Sequence, residues 1–362
     1  MGIKAAIEVF LPEVIGWRQD FHRHPELGFE VHRTAARVAE LLRGFGCDVV
    51  ETGIGRSGVV AVIHGRRPGR GIGLRADMDA LPIFEATGLA HASTVPGKMH
   101  ACGHDGHTAM GLAAAKYLAQ SRDFAGRAVI IFQPAEEDGG GARAMIADGL
   151  MDRFGIDEVY GLHNIPGLDV GAFATRPGPI MAAADMFRLI LTGRGGHAAQ
   201  PHLALDTTMI AGQVLVALQS IVARNVDPLK PAVLTVATLA TEGTGACVIP
   251  GRVVMTGTTR SFEPQVQDLL ETRLTEVVTA IAAAHGGAAE VEYLRDAPAT
   301  VNAPAQTGHA LAVAQGISAA VDGDVTPVTV SEEFSDMLIA RPGAFMFIGN
   351  GDSALLHHPA YD

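Results

Sequence analysis

Cysteine is scarce in this sequence of 362 residues, with three in all: Cys47, Cys102 and Cys247. An odd and sparse set builds no disulfide framework, and a reducing cytoplasm is the expected compartment. Basic charge is also short. Lys and Arg number 27 against 39 Asp and Glu, a formal net charge of -12, and such a chain repels phosphate backbones, so nucleic acid is not an expected partner. No apolar run approaches the roughly 20 residues that cross a bilayer. The segment Met1 to Gln19 lacks a signal-peptide pattern, and Ala6 stands where a Met-Gly myristoylation motif needs Ser or Thr. No membrane partner is expected. Internal repeats and low-complexity tracts are missing too. At 48% hydrophobic and 18% charged residues, what remains is the composition of an ordinary folded chain.

Two rhythms divide it. Ile7, Phe10, Val14, Trp17 and Phe21 recur at helical spacing, and a helix over Thr34 to Phe45 stops at Gly46. Apolar strands are expected at Val59 to Ile63, Ile72 to Leu74, Ala128 to Phe132, Val159 to Leu162 and Phe345 to Ile348, with helices at His107 to Leu118 and Gly141 to Ala147. Short apolar runs alternating with helices predict an α/β fold, a mixed, mainly parallel sheet flanked by helices. Between Asp185 and Tyr293 the order changes to strand (Phe187 to Leu191), helix (Leu205 to Val222), strand (Val233 to Leu239), strand (Val253 to Thr259), helix (Val266 to Ala284), strand (Ala289 to Tyr293). That β-α-β-β-α-β order is the ferredoxin-like unit. It is expected as an inserted domain over 181–295, the rest of the chain, 1–180 and 296–362, forming one discontinuous domain.

Polar residues follow the strands of the first domain. Asp77 and Asp79 come after Leu74, Glu136 and Glu137 after Phe132, His163 and Asn164 after Leu162, and His357 and His358 after a glycine loop beyond Ile348. His100, Cys102, His104, Asp105 and His107 precede a helix. In an open α/β sheet the crevice outside the carboxyl ends of the strands is where ligands bind. A lone buried His is more often a hydrogen-bonded core residue, and Glu136-Glu137 alone could be a solvated loop. Four such features at one end of one sheet point instead to a cage for two divalent ions, which lower the pKa of a shared water and polarise a carbonyl. Mixed N, O and S donors leave Mn, Zn, Ni and Co open. Adjacent Glu136 and Glu137 suit a division between proton transfer and metal binding. Asp77, Asp79 and Asp105 are equally read as orienters of His ligands or as loop caps.

The segments Arg75-Ala76-Asp77-Met78-Asp79-Ala80-Leu81-Pro82, His100 to Ala109 and Gln133-Pro134-Ala135-Glu136-Glu137 resemble the hippurate hydrolase, aminoacylase and auxin-conjugate hydrolase branch of the co-catalytic metallopeptidase superfamily. Arg23 to Gly28 and Leu356 to Asp362 match as well, so the likeness spans essentially the whole chain. It implies five metal ligands, Cys102, His104, Glu137, His163 and His357, with Glu136 as general base and acid and His357 preferred to His358. It makes the inserted domain a lid and dimerisation domain, in a homodimer or higher homo-oligomer. There His197 would stabilise the oxyanion in the partner subunit's site, and His202, Asn225 and Arg260 would hold the substrate carboxylate. Two departures stand out. Ser331-Glu332-Glu333-Phe334 occupies the place of the family's Glu-Asp-Phe, lengthening one carboxylate, and Asp362 closes the sequence where family members continue with another helix.

The expected function is hydrolysis of small N-acyl amino acids, hippurate-like or N-acetylated, to a carboxylate and a free amino acid through a metal-bridging hydroxide. The alternatives are a dipeptidase or carboxypeptidase with the same two-metal site, and a non-catalytic metal-binding protein. A dinucleotide site is rejected: Gly53-Ile54-Gly55-Arg56-Ser57-Gly58 lacks GxGxxG spacing and joins no strand to a helix.

Overall fold

Strand Gly58–His64 reads Gly-Val-Val-Ala-Val-Ile-His, and every residue before His64 is buried. Burial at both parities means that both faces of the sheet are covered, which explains the unbroken apolar run. The structure, a computed structural model, describes residues 3–137, 139–243 and 245–362. The chain divides into two units. One comprises Met1–Ile180, Thr300–Thr326 and Glu332–Asp362, the other Met181–Ala299 and Pro327–Ser331.

The first unit is built on an eight-stranded sheet in the order Val49–Ile54, Gly58–His64, Ala125–Gln133, Arg67–Asp77, Glu158–Ile165, Gly343–Gly349, Phe173–Ala174, Val321–Asp322. Its centre is parallel: Arg67–Asp77 runs with both Ala125–Gln133 and Glu158–Ile165, and Gly343–Gly349 runs with Glu158–Ile165. Gly58–His64 is antiparallel to both its neighbours, and Gly343–Gly349 to Phe173–Ala174, so the sheet is mixed and mainly parallel as expected. Register aligns the functional ends. Asp77 pairs with Gln133, Arg75 with Gly161, and Phe347 with His163.

One face is sealed by helices Leu11–Arg23, His32–Phe45 and His104–Ser121. Trp17, Phe21, Val38, Leu42, Leu112 and Ala115 pack there on Val59, Ala61, Ile63, Ile130 and Phe132. At about 1.5–3 kcal/mol for each large apolar side chain buried, this layer fixes the sheet and hence the positions of the loops that leave it. Gly46 ends helix His32–Phe45 in the left-handed region, at φ 81.

The second unit has a four-stranded antiparallel sheet ordered Ala232–Thr241, Arg252–Ser261, Ala183–Thr192, Ala288–Ala297. In chain order this is second, third, first, fourth, the ferredoxin-like arrangement, with helices Thr207–Arg224 and Pro264–Ala284 on one face. Among the described residues, Thr207–Arg224 is the one helix long and apolar enough to cross a membrane, with mean hydropathy 1.2. Its stripe of Ile210, Ala211, Val214, Leu218 and Ile221 is instead buried in this unit's core. Asp206 caps it, accepting the amides of Thr208 and Met209.

Candidate metal centre

Four loops at the carboxyl end of the first unit's sheet bring the candidate donors together. Cys102 and Gly103 lead into helix His104–Ser121, Glu136 and Glu137 follow strand Ala125–Gln133, His163 lies near the end of Glu158–Ile165, and His357 follows Gly343–Gly349. Three overlapping groups result: Cys102, His104 and His163; Cys102, Glu137 and His357; His104, Glu136 and Glu137. Within each, one donor atom per residue lies within 4.8 Å of the others. The five expected ligands therefore share one neighbourhood with Glu136.

The hydrogen bonds decide which ring nitrogens are free. His104 donates Nδ1–H to the Asp79 carbonyl at 2.9 Å, and its buried Nε2 has no hydrogen-bond partner. That nitrogen faces Glu137 Oε1 at 3.9 Å and Glu136 Oε2 at 4.0 Å. His163 donates Nδ1–H to the Asn164 carbonyl at 2.6 Å and leaves Nε2 3.5 Å from Cys102 Sγ. Glu137 Oε1, also buried and without an aligned hydrogen bond, is in ion-pair contact with His357 Nε2 at 3.3 Å. Buried orphan donors and acceptors are costly unless something binds them, and these aim at one another across the gap an ion would fill. A thiol, three imidazoles and a carboxylate suit a borderline divalent metal. A fourth group, Asp77, His104 and His107, is different. His107 donates Nδ1–H to Asp77 at 2.6 Å and accepts the Asn164 amide on Nε2 at 3.0 Å, so both its nitrogens are occupied. It is a bracket for Asp77 and Asn164.

Electrostatics agree. Burial opposes a charge on His104, yet Asp77 and Cys102 raise its pKa well above the usual imidazole range. A divalent ion bound there would replace that proton. Burial, reinforced by His107, pushes His163 down to about 3, keeping it neutral as a ligand must be. Burial also pushes the Cys102 thiol up, against the pull of His104. Glu136 and Glu137 diverge. Burial, Glu332 and Glu137 raise Glu136 well above the carboxylate range. Glu137, although buried, is held below its ordinary value by His357 and His104. Neighbouring carboxylates driven apart in this way are suited to different roles.

The turn carrying them is held by Asp79, whose two carboxylate oxygens accept the Glu136 and Glu137 amides at 3.0 Å each. Ala135 enters this turn at φ 50, a conformation a non-glycine residue adopts only under constraint. Behind it lies a buried ionic network that the sequence did not assign. Arg75 donates to Asp77 (2.5 Å), Gln133 (2.8 Å) and Glu332 (2.8 Å). Gln133 donates to Glu333, which also accepts the amides of Gly140 and Ala142. Glu332 thus faces the Arg75 guanidinium, and the longer Glu333 caps the amides beyond the Glu137 turn. A charged residue between apolar Leu74 and Ala76 was the available signal. Asp105 is a bracket of the same kind, accepting from His22 (3.0 Å) and Arg18 (3.1 Å). His358 turns away from the donor groups, its Nδ1 accepting the Ala360 amide at 3.1 Å.

The other four expected residues lie in the second unit. His197 is exposed on the short strand Gly196–His197, paired with Val248–Ile249. Its Nδ1 accepts the Ala199 amide at 3.0 Å, which puts the proton of the neutral ring on the outward Nε2. It lines a cavity of about 570 Å³ with Glu242, Cys247 and Pro250. His202 is exposed in the turn Pro201–Leu203. Asn225 caps the end of helix Thr207–Arg224 and accepts from Arg273 at 3.4 Å. Arg260, half-buried on strand Arg252–Ser261, donates to the Thr259 carbonyl at 2.9 Å, and burial lowers its pKa.

Known proteins place this arrangement. Residues 73–362 match the model of peptidase family M20/M25/M40. N-acetyl-L-cysteine deacetylase of Bacillus subtilis is 42% identical, the match covering 96% of this chain and 83% of the relative. Hippurate hydrolase of Campylobacter jejuni is 38% identical over 97% and 93% of the two chains. The crystal structure of the Bacillus subtilis YXEP protein, described as a dinuclear metal-binding peptidase of the M20 family, superposes with a TM-score of 0.85 at 32% identity, covering 98% of this chain and 93% of that one. This chain belongs to peptidase family M20/M25/M40, and it is a metal-dependent amidohydrolase.

Proposed function

We propose that the enzyme hydrolyses small N-acyl amino acids to a carboxylate and a free amino acid, with Glu136 carrying the proton. The observation that supports this most is the placement of the Glu136 carboxyl. It lies 4.0 Å from the unpartnered His104 Nε2, fixed by the Asp79 bracket on its amide, with a pKa raised by burial and by Glu332 and Glu137. Cys102, His104, Glu137, His163 and His357 would hold a pair of divalent ions (Zn, Mn, Co or Ni), which when bound lower the pKa of a coordinated water and polarise the scissile carbonyl. Glu136 takes a proton from the attacking water and returns it to the nitrogen of the leaving amine as the amide C–N bond breaks. A raised pKa suits both halves of that exchange near neutral pH.

The lid residues join as proposals. His197 offers an outward Nε2–H that would donate to the oxyanion of a partner subunit's substrate in a homodimer or higher homo-oligomer. His202, Asn225 and Arg260 would hold the substrate carboxylate. Three free thiols support a reducing, cytoplasmic setting.

Purified Glu136→Ala should keep its metal and lose turnover on N-acetyl and N-benzoyl amino acids; unimpaired hydrolysis would remove the proton-transfer role. The second reading is a carboxypeptidase. It is favoured by the 41% identity to thermostable carboxypeptidase 1 of Saccharolobus solfataricus, over 93% of this chain. Faster cleavage of dipeptides than of N-acyl amino acids would select it.

A further inference from the structure

His357 is the exposed member of the donor set, with 52% of its side chain accessible, against none for His104 and 10% for Glu137. It also sits in the left-handed region at φ 64, a backbone state that persists only when its surroundings impose it. One tether is local: the His357 amide donates to the Ala101 carbonyl at 2.7 Å. The others come from the residues that follow it.

Tyr361 is buried, 3% exposed, and packs with Met99 and Ala101. Its hydroxyl donates to Asn164 Oδ1 at 2.5 Å and accepts from Asn350 at 3.1 Å. Asn164 is the neighbour of His163, and its Nδ2 donates to the Cys102 carbonyl at 2.7 Å. Gly103, at φ 84, lies against this junction. A Cβ there would come within 2.2 Å of Asn164 Nδ2 and 2.6 Å of the Tyr361 hydroxyl, so only glycine fits between Cys102 and His104. Asp362 accepts from Arg18 at 2.6 Å and from His91 at 3.2 Å. Arg18 in turn donates to Asp105, the residue after His104, at 3.1 Å. Between these anchors the Pro359 carbonyl accepts the Ala86 amide at 2.7 Å. The segment carrying His357 is therefore pinned near three other donors: to Asn164 beside His163, through Asn164 to the Cys102 carbonyl, and through Arg18 to Asp105 beside His104.

We propose that Tyr361 and Asp362 are positioning residues that latch His357 onto the metal centre and so set the affinity of the one ion it helps to hold. This rests on the two-ion reading above. Neither side chain reaches the reacting atoms; Tyr361 acts through its hydrogen bond to Asn164, the neighbour of His163, and Asp362 acts through Arg18 on Asp105, the neighbour of His104. Partners of this kind govern affinity by about 10- to 100-fold.

The test is an equilibrium zinc titration of the metal-free 362-residue chain against a chromophoric chelator, with cobalt(II) absorption read in parallel. Wild type should bind two ions, and His357→Ala should keep one tight site. Tyr361→Phe and Asp362→Ala should weaken one ion by about tenfold or more and hold the other within about twofold, with the cobalt bands of the weakened site alone altered. Asp362→Asn, which keeps an oxygen for Arg18, should fall between wild type and Asp362→Ala. Two unchanged zinc affinities in both variants would overturn the latch. So would an equal loss of both ions, the mark of general loosening. A wild-type chain that binds no zinc would sink the metal reading itself, and the latch with it.

Discussion

Asp79→Asn is the sharpest perturbation of the turn that carries Glu136 and Glu137. Both Asp79 oxygens accept a backbone amide, from Glu136 and from Glu137, at 3.0 Å. Asparagine keeps one acceptor and turns an NH2 toward the second amide, so one charge-assisted bond is lost and one partly buried N–H is left facing a donor. Losing a hydrogen bond to a charged group costs about 1.5–3 kcal/mol, and stranding a buried donor about 1–3 kcal/mol. These overlap, because the second contains the first, so about 2–3 kcal/mol is the expected loss in urea unfolding of the metal-free protein. Function should suffer more than stability. Ala135 already holds the turn at φ 50, and releasing one amide lets Glu136 move; a displacement near 1 Å costs on the order of 100-fold in rate. The assay is kcat on an N-acyl amino acid beside the urea midpoint of the same preparation. Stability within about 0.5 kcal/mol of wild type, with kcat within about threefold, would show that the bracket neither holds the turn nor aims Glu136.

Further outcomes can be measured alongside it. Arg75→Met should destabilise the protein by about 3–5 kcal/mol in denaturant, because it strands the buried carboxylates of Asp77 and Glu332. Glu332→Gln should move the acid limb of kcat/KM to lower pH: Glu332 helps to raise Glu136, the base must be ionised to act, and a lowered pKa keeps it ionised further down the scale. A limb that stays put or moves up would contradict the electrostatic assignment. His357→Ala should cost metal and most of the activity, whereas His358→Ala, whose Nδ1 only caps the Ala360 amide, should keep kcat within about twofold and the unfolding midpoint close to wild type.

What the sequence revealed followed from pattern, and what it hid followed from distance. The strands at 58–64 and 125–133 were legible because their unbroken apolar stretches are buried on both faces, and 158–165 because Val159 to Leu162 makes a short apolar run, although Tyr160 and Leu162 are only partly buried. The edge strand Val49–Ile54 was not expected, since Glu51, Thr52 and Gly53 give it no buried alternation. Helix Pro304–Ile317, rich in Ala and Gly with a diffuse apolar face, was missed too. Expected elements mostly fell one to three residues short at their ends; strand Arg67–Asp77 extends well beyond Ile72–Leu74 because its first residues are exposed and polar. Glu137, His163 and His357 were readable because they lie at or after strands that end at the same edge, and Cys102 and His104 because they lead into and open helix His104–Ser121. Their supports were not. Arg75 and Glu332 are 257 positions apart, and Tyr361 and Asn164 are 197 apart, and nothing local in a sequence announces a hydrogen bond that only the sheet topology closes.

The central claim is that Cys102, His104, Glu137, His163 and His357 enclose two ions next to Glu136. Anomalous diffraction from crystals grown with manganese or zinc tests it directly. Two peaks roughly 3.5–4 Å apart, ringed by those five side chains, are the predicted result. A density map with no peak there, or with ions bound only elsewhere, would contradict it.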